Sequence, residues 1–243
     1  VSIDALQVLD RETAALATAL VAARDGGRLD APVHGCPDWS LADLGRHTGG
    51  VHRWAAAALV TDRPPAEPTG PAEDDLVPGW YAEGAAELRR ALVATPPGTA
   101  CWTFDRADRT AGFWRRRQAH EAALHRWDAE SALHPQGTAG PRIDSATALD
   151  GVDEVLTVFL PRQVRLGRCP DVPGWVGVVP DEDGRSRAVS TAGRTGAPVG
   201  QVAGSAEALL LLLWRRIALD DHRLVVTGDV GAVRALLDRP LTP

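Results

Sequence analysis

The chain is 243 residues long, 44% hydrophobic and 24% charged, a globular composition that excludes wholesale disorder and leaves room for one large domain or two small ones. A net charge of −6 argues against a general nucleic-acid binder, which needs a basic footprint to displace counterions. No apolar run reaches the ~18 residues that could span a bilayer, and the N-terminus shows no secretory leader, so a cytoplasmic protein with no membrane partner is expected.

The first helix is expected over residues 2–25, where Ile3, Leu6, Leu9, Leu16, Leu20 and Val21 recur at helical spacing before a stop at Asp25-Gly26-Gly27. A loop with Pro32, Gly35 and Pro37 follows. Ser40 is the expected N-cap of a second helix, with Asp43 completing a capping box, and this helix runs to about residue 60. Its stripe of Leu44, His47, Val51, Trp54 and Ala58 places His47 on the face expected to turn to the core. Pro64, Pro65, Pro68 and Pro71 make residues 61–73 a stiff connection. A third helix is expected over 80–94, with Tyr81, Leu88 and Leu92 inward. Residues 100–104 read as a brief strand or ordered loop, and a fourth helix covers 110–133, closed by His134-Pro135-Gln136-Gly137.

Four helices with connecting loops predict a four-helix bundle over residues 1–140, a fold that builds sites from inward side chains of facing helices. A Gly- and Pro-containing boundary precedes a different pattern over 146–243. There the reading is a helix over 149–166 interrupted by Pro161, strands over 175–179, 187–190 and 197–202, and a hairpin turn at 181–184. A buried helix capped by Ser205 spans 205–219 and includes the run Leu209–Leu213; a strand over 224–228 and a closing helix over 230–238 complete a small α+β domain. The expected fold is therefore mainly α, in two domains.

The chemistry concentrates in the fourth helix. Glu121 and His125 are four residues apart and share a face. Alone, they are equally an exposed acid–base pair, which Arg117 and Asp128 would extend into a surface charge ladder. Against that reading, Phe113, Trp114, Leu124 and Trp127 leave no clean polar stripe, and a core-facing His47 would need a polar partner. His47, Glu121 and His125 together are two imidazoles and one carboxylate, the donor set of a catalytic zinc site with an open position; Fe(II), Mn or Ni would accept the same set. A cation there would lower the pKa of a bound water or thiol and create a nucleophile.

Other features carry less. His52 lies about 140° round the helix from His47 and cannot share its site, His120 points away from Glu121, and His34, His134 and His222 fall in loops. Cys36, Cys101 and Cys169 lack the spacing of a zinc knot and read as small buried hydrophobes. G-x-S-x-G, H-E-x-x-H, Walker and G-x-G-x-x-G motifs are absent. Trp54, on the His47 face, is the expected wall of a pocket.

The stretches Leu44-Gly45-Arg46-His47-Thr48-Gly49-Gly50-Val51-His52-Arg53-Trp54 and Glu121-Ala122-Ala123-Leu124-His125-Arg126-Trp127-Asp128-Ala129-Glu130 resemble the mycothiol-dependent maleylpyruvate isomerase family, a branch of the DinB-like metal-binding four-helix bundles. The segment from Gly204 to Arg216, with Val225-Val226-Thr227-Gly228-Asp229, is similar to the α+β domain those proteins append. The resemblance implies that His47, Glu121 and His125 ligate a divalent metal, zinc foremost, and that mycothiol binds as a thiolate at the open position. It also implies an assisting Arg in the C-terminal domain, for which Arg215, Arg216 and Arg223 are the candidates; Trp54 and Arg117 are the expected substrate contacts of this chain. Every one of the 26 basic residues is Arg, the mark of a GC-rich genome, which agrees with an actinobacterial, mycothiol-making source. The expected activity is a thiol transferase or isomerase acting on an electrophilic small molecule. The alternatives are a hydrolase using metal-bound hydroxide and a non-catalytic metal- or thiol-binding accessory protein.

Overall fold

A computed structural model describes residues 3–134, 140–169, 174–190 and 196–243. They divide into two compact units, one spanning Asp4–Ile143 and the other built on Asp144–Pro243.

The first unit is a four-helix bundle of α1 (Ala5–Asp25), α2 (Leu41–Ala58), α3 (Val77–Ala94) and α4 (Ala111–Leu133). Each start has a local chemical cause. Asp4 caps α1 through the backbone N–H of Gln7. Ser40 and Asp43 form the full capping box on α2, each side chain accepting the other's backbone N–H at 3.0–3.1 Å, so the shorter Asp serves in place of Glu. A 3-10 turn at Asp74–Leu76 leads into α3, whose first turn accommodates Pro78 because no intrahelical N–H is needed there. α1 packs chiefly on α4 and α2 on α3, around Leu16, Leu20, Leu41, Leu44, Val77, Tyr81 and Ala129. Residues 100–104 form an ordered loop, tied by a bridge between Ala100 and Thr110 and by the Trp102 N–H donating to Thr61 O at 2.7 Å.

α4 is buried on every side. Its charged groups are therefore paired inside the bundle and do not form a surface ladder: Arg126 Nε donates to Glu12 Oε2 of α1 at 2.7 Å, with both side chains under 8% exposed. His134 ends α4, and the expected Pro135–Gly137 closure lies outside the described residues.

The second unit contains α5 (Ser145–Glu154), a π turn (Val155–Phe159) and α6 (Leu160–Arg165) as one interrupted run. The interruption falls just before Pro161, which has no N–H to continue the ladder. Strands β1 (Val176–Pro180), β2 (Arg187–Val189), β3 (Gly200–Gly204) and β4 (Leu224–Gly228) form a sheet in the order β2-β1-β3-β4, with β1 and β3 parallel and the outer pairs antiparallel. Ser205 caps α7 (Ala206–Leu213), which ends six residues earlier than the sequence pattern suggests, because Arg215 adopts a left-handed φ of 60° that no helix continues. The leucine run is buried there, and among the described residues no helix is long and apolar enough to cross a membrane. α8 (Val230–Leu237) closes the unit.

Candidate metal centre

His47 on α2 and Glu121 and His125 on α4 converge. Glu121 Oε1 lies 3.3 Å from His47 Nε2 and 3.3 Å from His125 Nε2, and all three donor atoms fall within 4.8 Å of one another. The edge of a tetrahedron with bonds of about 2.1 Å is about 3.4 Å, so the spacing suits one small cation. The outer contacts suit it too. Glu121 Oε2 accepts from Arg117 at 2.8 Å, which leaves Oε1 turned to the two imidazoles. His125 Nδ1 lies 3.1 Å from Asp128 Oδ2, whose side chain is fully buried, the carboxylate–histidine pairing that fixes a ligand's tautomer and leaves Nε2 for the metal. Cys36 Sγ is 3.8 Å from the same Asp128 oxygen.

Electrostatics tie the pair on α4 together. Burial pushes the Glu121 carboxyl up, but the charge and hydrogen bond of His125, the His47 hydrogen bond and the Arg117 guanidinium outweigh it and hold Glu121 well below the usual range. Burial likewise pushes His125 down, and the Glu121 charge with hydrogen bonds to Asp128, Cys36 and Glu121 reverses this and holds it well above the usual imidazole range. Without a cation the cluster is a charged imidazolium on a carboxylate. A cation would take the place of that proton.

One expectation about α2 needs correction. His47 is not on its buried face: its side chain is 38% exposed, its ring centroid is 4.7 Å from that of Trp39, and it lines a cleft. The histidine that faces the core is His52, fully buried, with Nδ1 2.7 Å from Gln118 Oε1 on α4. Burial pushes His52 down to about 4, so its ring is neutral. The face is set by Gly45 and Gly49. A Cβ at Gly45 would stand 2.6 Å from Val77 Cγ1, and one at Gly49 2.6 Å from Trp80 Cζ3, so helix contact runs along the glycines.

Trp54 lines the same cleft as His47. Its Nε1 donates to Pro65 O at 3.1 Å, and its ring meets Trp102 and Trp114 edge to face at 5.0 and 5.3 Å. Arg117 lies behind the cluster, 4% exposed and bonded to Glu121. In the second unit, Arg215 donates to Asp238 O and Arg239 O, Arg216 to Trp214 O, and Arg223 pairs with Asp221. His34 and His222 are exposed, whereas His120 is buried. Sequence reasoning gave Trp39 no role, read Cys36 as a small buried hydrophobe and weighed Asp128 only within a surface charge ladder that it argued against; the His–Asp spacing of three on one helix is the signal that pairs Asp128 with His125.

Two histidines and a carboxylate gathered on facing helices, and a separate α+β unit, define a four-helix-bundle protein with a C-terminal α+β unit. The chain belongs to the mycothiol maleylpyruvate isomerase family: the family's N-terminal domain matches residues 9–130 and its C-terminal domain residues 146–235. Its fold is similar to crystal structures of the mycothiol-dependent maleylpyruvate isomerase. A histidine-to-alanine variant of that enzyme gives a TM-score of 0.66 at 12% identity, and a second structure gives 0.62 at 13%, each covering 93% of both chains. No curated protein sequence matches the chain.

Proposed function

We propose that this protein is a metal-dependent enzyme that uses a low-molecular-weight thiol, mycothiol, to attack an electrophilic small molecule, with isomerisation the favoured outcome and S-transfer the second. The observation that carries the reading is Glu121 Oε1 placed 3.3 Å from both Nε2 atoms while Arg117 occupies Oε2. Family membership supports the thiol and the isomerase outcome.

His47, Glu121 and His125 would hold the cation, zinc being the best match to two imidazoles and one carboxylate. Bound there, it supplies the Lewis acidity that keeps a thiol ionised at neutral pH. Asp128 keeps the proton of His125 on Nδ1, and Arg117 keeps the Glu121 carboxylate turned towards the imidazoles. The exposed edge of His47 opens the cluster to the cleft, where Val51, Trp54 and Pro68 offer apolar walls to the electrophile. In an isomerisation, the thiolate adds to one alkene carbon, the former double bond rotates, and the same thiolate leaves, so the thiol is regenerated.

Metal analysis of the purified protein should return close to one transition metal per chain, with His125→Ala losing it; full retention in that variant would remove the site. Turnover of a cis-alkene with mycothiol, and none without it, supports the thiol reading. Turnover independent of thiol would favour hydrolysis, and none under either condition a binding role.

A further inference from the structure

The cleft beside His47 has an unusual charge arrangement. It has a volume of about 290 Å³ and is lined by Arg46, His47, Gly50, Val51, Trp54, Glu67 and Pro68. Its single arginine is already committed. Arg46 Nε donates to Pro71 O at 2.8 Å, its Nη1 to Asp43 at 3.2 Å, and its Nη2 to Ala72 O at 3.0 Å and to Asp74. Two carboxylates thus flank one guanidinium, and no fork remains to grip an incoming carboxylate in the bidentate manner that anion sites use.

Glu67 is the opposite case. It is exposed and takes part in no hydrogen bond or ion pair among the described residues. The backbone that carries it is nevertheless tied to α2 on both sides: Trp54 Nε1 donates to Pro65 O before it, and Arg46 to Pro71 O and Ala72 O after it. Apart from His47, whose ring belongs to the cluster, the uncommitted charge on the cleft wall among the described residues is therefore negative, and the remaining surface is the indole of Trp54 with Val51, Gly50 and Pro68.

We infer that this cleft takes an uncharged, flat or apolar electrophile, and that Glu67 is the specificity-determining residue that turns dicarboxylates away. The inference rests on the thiol-transfer reading above and narrows its substrate class. It separates this chain from the protein whose fold it shares, whose named substrate, maleylpyruvate, is a dicarboxylate. A dianion entering the cleft meets the Glu67 carboxylate with an already paired guanidinium opposite; at a surface dielectric and several ångströms, that repulsion is worth about tenfold in affinity. A neutral ring of the same shape meets only the apolar walls.

Phthalate and dimethyl phthalate are a matched pair for the test, both flat, both inert to thiols, one a dianion and one neutral. Binding is measured by calorimetry on the full chain, metal-free and zinc-loaded, without thiol. The expected result is that the diester binds at least tenfold tighter than phthalate to the metal-free protein, and that Glu67→Gln narrows the gap by about tenfold. Glu67→Arg should reverse it. Phthalate binding as tightly as its diester, a gap unmoved by Glu67→Gln, or no binding of either compound would overturn the assignment. Because this readout needs neither thiol nor turnover, it stands apart from the enzymatic reading: the binding order can hold while thiol-dependent turnover fails, and the reverse.

Discussion

Asp128 Oδ2 sits 3.1 Å from His125 Nδ1, on the far side of the ring from the Nε2 atom that faces Glu121. One buried carboxylate thus orients one imidazole of the cluster, and the ring cannot turn without breaking that contact. Asp128→Ala should weaken zinc affinity by about 10- to 100-fold, the usual cost of losing such a partner, and Asp128→Asn by less, since the amide oxygen still accepts the Nδ1 proton. Competition with a chromophoric chelator gives both numbers. Equal affinity in Asp128→Ala and the parent would mean that the ring is held by packing alone.

Arg117 and Glu121 make the complementary pair, with side chains 4% and 11% exposed. Replacing Arg117 with Met removes one of the two buried cations beside the Glu121 carboxylate and leaves it to the His125 imidazolium alone, so the cost should approach, without exceeding, the roughly 3–5 kcal/mol of a buried pair broken from one side. The loss should be largest in metal-free protein and smaller with zinc, because a cation at Oε1 offsets the missing guanidinium. Urea unfolding with and without zinc measures the difference. An identical loss in both states would place the cation away from Glu121.

The four bundle helices, the Ser40 capping box and the Glu121/His125 pairing were legible because each is written in local spacing. The buried face of α2 was not. A hydrophobic stripe weighs large apolar side chains, whereas this interface closes on Gly45 and Gly49, which register as blanks. The candidate ligand His47 was thus selected on a wrong premise: it lines an open cleft, and the core imidazole belongs to His52. α4 misleads in another way. A helix buried all round has no polar face, so Arg126, Asp128 and Glu121 look like surface charges until Glu12, His125 and Arg117 are found beside them. Trp39 lies in a loop, outside any periodicity.

The coupled charges on α4 give metal uptake a definite pH dependence. His125 is raised in the folded, metal-free protein, so its stabilising contribution is fully present below the ordinary imidazole value of 6.5 and is lost as pH rises through the raised folded value. Glu121 is lowered, so its contribution is present above the ordinary value of 4.5 and lost as pH falls through the depressed one. The ion pair is therefore complete across the neutral range, and a cation has to displace the His125 proton. Zinc affinity should rise about tenfold per pH unit over that range, with about one proton released per ion bound. Calorimetry in buffers of different ionisation enthalpy counts the proton directly. An affinity that stays flat with pH would exclude His125 as a ligand.

His52 makes the opposite prediction for stability. Its pKa is depressed from 6.5 to about 4 by burial, so the folded chain declines a proton that the unfolded chain accepts between those two values. In that window the unfolded state binds more protons, and stability falls as pH falls, by roughly 3 kcal/mol in total if no other group intervened. Glu121, His125 and the surface carboxylates also respond to acid, so the clean quantity is a difference. His52→Gln removes the titrating ring and keeps an amide that can meet Gln118. The variant is expected to be less stable at neutral pH, where the packed ring against Tyr81 is lost, and to close that gap as the pH drops from 6.5 towards 4. Urea unfolding of both metal-free proteins at half-unit intervals follows the gap. Parallel curves for parent and variant would show that His52 takes up its proton without unfolding the bundle, and that its burial is relieved by local opening between α2 and α4.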